Sequence, residues 1–164
     1  REALAALAGK LALPFASLTA VGIAGMLWIT AGRGWHPAGS LAWTLFALAV
    51  FLALSIALGA FASGITRSLR TALSATGFIT APAFAFGGVG FPLVAMPLLA
   101  QAWALLLPYT HYIRVQMEQL QMGAPLMYSV AAPLWMVLAT ALLLAASAAA
   151  LVRAARAPAT WGGR

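Results

Sequence analysis

The chain has 164 residues, of which 64% are hydrophobic and 7% are charged, and its formal net charge is +7. A water-soluble domain carries about 25% charged residues, so this composition excludes a soluble enzyme and indicates a membrane domain. The sequence has no cysteine, which excludes disulfide scaffolds and thiolate zinc sites, and its bases are too scattered to predict a nucleic-acid partner.

Long uncharged runs divide the chain into predicted membrane-spanning helices. Each run exceeds the roughly 20 residues that a helix needs to cross hydrocarbon about 30 Å thick, and none alternates with the period of two that is typical of membrane β-strands. The sequence therefore predicts an all-α polytopic membrane protein with spans at residues 11–30, 40–62, 71–91 and 130–152. The remaining parts are a lead-in at 1–10, an outer loop at 31–39, an inner loop at 63–70, an outer segment at 92–129 and a tail at 153–164.

The third uncharged run, residues 71–113, is long enough for one crossing or two. Cytoplasmic loops of membrane proteins collect Lys and Arg. With four spans the nine bases divide 7 to 2 between the two sides, whereas five spans would divide them 5 to 4. The charge asymmetry therefore predicts four spans, with both ends of this chain on the cytoplasmic side.

Prolines interrupt the outer segment at residues 92–129. Pro92, Pro97 and Pro108 cut it into pieces too short to span, because proline removes a backbone donor and breaks the helix ladder. We expect short helices at 98–107 and 109–121 that dip into the outer leaflet or lie on it. Irregular backbone at that depth requires cover by protein or water, so the segment is either a gate or pathway wall, or an interfacial hairpin that caps the bundle.

The residues that usually carry catalysis or ion coupling are scarce. The carboxylates, Glu2 and Glu118, both lie outside the predicted spans, which argues against ion-coupled transport because that mechanism uses an ionisable group inside the bundle. The sequence around Lys10 does not complete a phosphate-binding loop. His36 and His111 each lack a second ligand at metal or haem spacing. We therefore predict no catalytic residue, metal or cofactor in this chain.

Arg114 and Glu118 lie four residues apart on the second predicted short helix. Such a pair is either a solvated contact worth about 0.2–0.5 kcal/mol or a contact that steadies a gate helix. The spacing alone is compatible with both interpretations.

Prolines and glycines recur in a fixed order between residues 82 and 112. The elements are Pro82, Gly87-Gly88, Phe91-Pro92, Met96-Pro97, Leu107-Pro108 and Thr110-His111-Tyr112. This series resembles the membrane subunits of type-2 ABC exporters, except that the family has a Ser-Gly step where Phe86-Gly87 or Gly87-Gly88 stands here. Gly9-Lys10 followed by Pro14 is similar to the start of the family's third helix. The resemblance implies that the chain carries the last four of six helices.

The resemblance also implies partners and roles. It implies a permease in the lipid bilayer of a bacterial inner membrane, a second permease subunit that is identical or different, and a cytoplasmic subunit that binds and hydrolyses ATP. The implied pathway or gate candidates are Phe84, Phe86, Gly87, Gly88, Phe91, Pro92, Met96, Pro97, Pro108, His111 and Tyr112. The candidates for contact with the ATP-binding subunit are Arg1, Lys10, Arg67 and Arg70. The alternatives are ordinary packing or lipid contact for the aromatic residues, and a non-transporting scaffold or anchor for the whole chain.

The predicted topology can be tested by cysteine accessibility, since the chain has no cysteine of its own. Single cysteines at Gly34 and Gly123 should react with an impermeant thiol reagent from outside. Cysteines at Ser68 and Ala157 should react only after the membrane is permeabilised. Protection of position 123 together with exposure of position 157 would mean five spans.

Overall fold

The computed structural model describes residues 2–66 and 68–155, and every regular element within them is helical. This confirms the all-α fold that the composition predicts. Wide π-helical turns extend α1 through Trp28–Gly32 and α6 through Met117–Gln121, and a 3-10 turn covers Leu93–Ala95. In chain order the α-helices are α1 (Glu2–Leu27), α2 (Leu41–Thr66), α3 (Leu69–Thr80), α4 (Ala83–Phe86), α5 (Leu98–Leu106), α6 (Pro108–Gln116), α7 (Leu126–Ser129) and α8 (Ala131–Ala155).

Among the described residues, three helical stretches are long and apolar enough to cross a bilayer. They are Ala5–Gly32, Leu41–Thr66 and Leu126–Arg153. The 26 residues of Leu41–Thr66 extend about 39 Å at about 1.5 Å per residue, which exceeds a hydrocarbon thickness of about 30 Å. The chain is therefore an integral, multi-pass membrane protein.

Helix α2 forms the centre of the bundle and makes its most extensive contacts with α8. Leu54 packs on Met136, and further along α2 Gly64 faces Ala150. Because the residue numbers rise together on the two helices, α2 and α8 are parallel. In contrast, α1 is antiparallel to α2, since successive α1 residues face α2 residues of falling number.

Small residues allow α2 and α8 to approach closely. A Cβ added to Gly64 would lie 3.2 Å from the Ala150 Cβ. Lipid tails are as apolar as leucine, so helices in a bilayer associate through packing contacts more than through water exclusion. Leu54 and Met136 are 2% and 0% exposed, and their dense van der Waals contacts stabilise the pair.

The third hydrophobic run does not form the single helix expected over residues 71–91. Helix α3 ends at Thr80, a turn covers residues 81 and 82, and α4 ends at Phe86. Pro82 has no backbone N–H to continue the helical ladder. Gly88 then adopts a left-handed conformation with φ +88°, which glycine tolerates because it has no Cβ. The helical structure therefore ends at Phe86, well before residue 91.

Two short helices follow the break, at Leu98–Leu106 and Pro108–Gln116. Pro108 occupies the first turn of α6, where its missing N–H costs no hydrogen bond. Tyr112 and Val115 of α6 pack against Ala47 and Leu48 of α2, so α6 runs along the first half of α2. Its extension ends beside the start of α2, where the Gly39 N–H donates to the Gln119 carbonyl at 2.7 Å.

The contact between α1 and α2 generates a matched pair of variants. A Cβ at Gly22 would lie 2.7 Å from Leu48 Cδ2, whereas nothing lies within 4 Å of a Cβ at Gly25. Gly22→Val should lower the free energy of unfolding by about 1–3 kcal/mol relative to Gly25→Val, because only the first overpacks the contact. Both variants change helix propensity equally. Reversible unfolding in detergent measures the difference, and equal stabilities would contradict the packing.

Candidate functional site

A buried amide joins three segments at the end of the bundle where α2 begins. The Gln119 side chain is 1% exposed, and its Oε1 accepts a hydrogen bond from the Ser40 N–H at 3.1 Å. Its Nε2 donates to Ser129 Oγ at 2.8 Å and to the Ala124 carbonyl at 3.0 Å. Every polar atom of this amide is thus satisfied, as burial requires. We call Ser40, Glu118, Gln119 and Ser129 the clasp.

Glu118 extends the clasp to Arg114. The Ser129 hydroxyl donates to Glu118 Oε2 at 2.7 Å, and Arg114 Nε donates to Oε1 at 2.8 Å. The Arg114 side chain is 65% exposed, but that of Glu118 is only 15% exposed. The pair is therefore more than a solvated contact within one helix, because its carboxylate also binds Ser129, the last residue of α7.

A central cavity of about 410 Å³ lies between α2 and the α3–α4 segment, and the start of α6 closes one side of it. Its volume falls within the roughly 300–1,000 Å³ range of small-molecule sites. None of its lining residues is charged. They are Phe51, Ser55, Leu58, Gly59, Thr76, Ile79, Thr80, Ala83, Phe84, Leu107, Pro108 and Tyr109.

The hydroxyls in this lining are bonded to their own helices. Ser55 Oγ donates to the Phe51 carbonyl, and Thr76 and Thr80 donate to the carbonyls of Ala72 and Thr76, each at 2.8 Å. These bonds satisfy the hydroxyl protons at the apolar wall. The oxygen lone pairs are the remaining polar capacity, so these three side chains can accept further hydrogen bonds within an otherwise apolar wall.

A second cavity lies toward the clasp. Two adjoining hollows of about 680 Å³ and about 400 Å³ share Gly88, Val89, Ile113 and Met117 in their linings. We call them together the clasp-side cavity. Its wall also includes Arg114 and Glu118, so this cavity carries charge that the central cavity lacks.

The pathway candidates predicted from the sequence are divided between the two cavities. Phe84 and Pro108 line the central cavity. Gly87, Gly88 and Pro92 line the clasp-side cavity. The structure thus brings the break after α4 and the start of α6 together, as two neighbouring hollows rather than one site.

The other candidates lie outside both linings. The buried Tyr112 ring stacks on Phe51 with centroids 5.1 Å apart. His111 stacks on Trp135 at 4.3 Å, and its Nε2 donates to the Leu105 carbonyl at 2.8 Å, so this imidazole fastens α5 to α6 and α8. Of the remaining candidates, Phe86 and Met96 are half-buried. Phe91 and Pro97 are exposed.

The basic candidates lie away from the clasp. Lys10 and Arg70 are exposed. Lys10 precedes Gly32 by about 33 Å of helix, and Arg70 lies in the first turn of α3, shortly after the far end of α2. Arg1 and Arg67 lie outside the described residues.

Sequence reasoning missed Tyr109, Ser55, Gln119 and Ser129 as site residues. Tyr109 and Ser55 are brought together by the contact between α6 and α2, and Gln119 and Ser129 by the return of the chain to the start of α2. Nothing in the sequence distinguishes Gln119 from its neighbours Gln116 and Gln121. Within the described ranges, no group of three or more His, Asp or Glu side chains could hold a metal ion.

The chain is thus a helical, multi-pass membrane protein with an uncharged cavity beside its central helix and a second cavity that has charged residues in its wall. The profile described as ABC-2 family transporter protein matches residues 5–150. The chain therefore belongs to the ABC-2 family of transporter permeases, which confirms the resemblance. Neither the curated proteins nor the solved structures give a match. The family describes a membrane transport domain and not an enzyme, and membership implies association with an ATP-binding subunit and the lipid bilayer.

The clasp predicts a difference between two glutamines on the same helical turn. Gln119→Met leaves buried donors and acceptors of Ser40 and Ser129 unpaired, which should lower the free energy of unfolding by about 1–3 kcal/mol. Gln121 is exposed, so Gln121→Met is the control and should change stability little. Thermal unfolding of the purified protein compares them. A stability loss that is equal in both variants would show that the clasp contributes nothing.

Proposed function

We propose that this chain is part of the permease subunit of an ATP-driven exporter, and that its two cavities form part of the substrate pathway. The observation that carries the proposal is a pair of neighbouring hollows, the uncharged central cavity beside α2 and the clasp-side cavity beside α6. A solute moving between them would pass from the middle of the bundle toward the end that carries the clasp.

Four crossings fit the packing of the helices. Since α2 and α8 are parallel and each is long enough to span, the chain between them returns across the membrane an odd number of times. The return crossing begins with α3 and α4 beside α2, and the residues after Phe86 complete it. Five spans would make α2 and α8 antiparallel, so the packing supports four.

The central cavity reaches about half the depth of the bilayer in this arrangement. Tyr109 lies beside Phe51, with ring centroids 6.3 Å apart. Phe51 follows Ser40 by eleven positions, or about 16 Å of helix, against about 30 Å of hydrocarbon. The α5–α6 hairpin therefore acts as a re-entrant pathway wall, since an interfacial cap would not reach this depth.

Export against a gradient needs an energy source, which we assign to the ATP-binding partner. The exposed bases Lys10 and Arg70, with Arg1 and Arg67, are our candidates for its contact on the cytoplasmic side. A second permease subunit, identical or different, would complete the pathway along α3, where Leu73 and Phe78 are exposed. Both ends of the chain then lie in the cytoplasm, and the membrane is the bacterial inner membrane.

The full-length permease should co-purify with an ATP-binding subunit and increase its rate of ATP hydrolysis. A catalytically inactive ATP-binding subunit should assemble but abolish export in vesicles. Export that persists with the inactive subunit, or that follows the proton gradient, would overturn the proposal. Assembly without any transport would favour a scaffold.

The docking site has its own matched control. Lys10→Glu combined with Arg70→Glu should reduce co-purification, because both reverse charges at the proposed contact. Arg33→Glu reverses an exposed base near the other end of the bundle and should leave the complex intact. Equal yields for all variants would exclude a contact through Lys10 and Arg70.

A further inference from the structure

Tyr109 is common to the linings of the central cavity and the clasp-side cavity. The rest of the central lining belongs to α2, α3, α4 and residues 107–108, whereas the clasp-side lining includes the loop after α4 and the later turns of α6. The side chain of Tyr109 thus stands at the boundary between the two hollows.

A glycine allows the ring to occupy this boundary. A Cβ added to Gly87 would overlap Tyr109 Cδ1 and would lie 2.7 Å from both Tyr109 Cε1 and the Ala83 carbonyl oxygen. The backbone of Gly87 has φ −74° and ψ 2°, a conformation that residues other than glycine also adopt. A side chain at position 87 would therefore conflict with the ring and with the Ala83 carbonyl, and not with the backbone angle.

The surroundings of Tyr109 differ from those of Tyr112, one turn later. Tyr112 is 6% exposed and stacks face to face on Phe51. Tyr109 is only half-buried, and it meets Phe51 edge-on at 6.3 Å and Phe84 at 6.4 Å. Half-burial leaves open space beside the Tyr109 ring, so its side chain can change rotamer with less repacking than that of Tyr112.

We infer that the Tyr109 ring, seated against Gly87, is the barrier that separates the central cavity from the clasp-side cavity. Passage between the cavities requires this ring to leave Gly87. The contacts that place it are contacts of the ring, so its hydroxyl is dispensable for the barrier. The inference rests on the proposed pathway for its role in transport, but the barrier itself is testable without a substrate or an ATP-binding subunit.

The test uses the absence of natural cysteines. Ser55→Cys places a thiol in the central cavity, and Ile113→Cys places one in the clasp-side cavity. In sealed vesicles, a membrane-impermeant methanethiosulfonate bearing a quaternary ammonium is added on the clasp side. With Tyr109 present, position 113 should be labelled and position 55 protected.

Removing the ring should open the barrier. Tyr109→Ala should make position 55 accessible from the clasp side, and Tyr109→Phe should keep it protected. Gly87→Ala provides a second route that retains Tyr109. Its Cβ would overlap the ring, as well as crowd the Ala83 carbonyl, so it should also expose position 55. Labelling of position 113 in each background controls for folding and orientation.

Two results would overturn the inference. One is labelling of position 55 with Tyr109 intact, and the other is its protection in both Tyr109→Ala and Gly87→Ala when position 113 still reacts. Failure of the proposed function would look different. In that case the labelling would follow the prediction, while transport would not depend on ATP hydrolysis.

Discussion

The constraint on which the rest of the structure depends is that backbone polar groups within hydrocarbon must be paired inside the protein. Pro82 and the glycines after it interrupt the third hydrophobic run and leave irregular backbone where a continuous helix would have satisfied itself. The chain meets this need locally, since Ala95 and Met96 donate to the carbonyls of Pro92 and Leu93. Helix α6 lies beside the break and contributes to the walls of both cavities, whereas α2 lines only the central cavity.

The two ends of the α6 segment are held in physically different ways. At the clasp, Gln119 contributes its buried amide and its main-chain carbonyl to bonds with the start of α2. At the other end, Pro108 and Tyr109 meet their neighbours through apolar and aromatic contacts. Directional bonds fix one end, whereas non-directional contacts hold the other. A hairpin held in this way can move its tip while its anchored end stays in register.

The hydrophobic runs made the helical class and the long helices predictable, because length and composition alone decide whether a segment can span. Pro97 and Pro108 likewise marked the starts of α5 and α6. The position of the break was harder to predict, since the run after Pro82 stays apolar through Phe91 and only local geometry ends the helix. Tyr109 and Gln119 could not be identified at all, because their surroundings consist of residues far away in the sequence, such as Phe51 and Ser40.

The hydroxyl bonds along α3 have a mechanical consequence. Thr76 and Thr80 each donate to a carbonyl one turn earlier, which also accepts the helical N–H, and such shared acceptors favour bending. They occur in the last two turns before Pro82, where the ladder is already about to end. Helices α2 and α8 carry similar hydroxyl bonds, for example at Ser55 and Thr140, but the buried contact of Leu54 with Met136 holds these two helices together. Helix α3 begins beside the exposed Arg70 and lines the central cavity with its last two turns, which are the turns that bend most easily. A displacement of its start near Leu69 would therefore bend these turns rather than shift the whole helix along its axis.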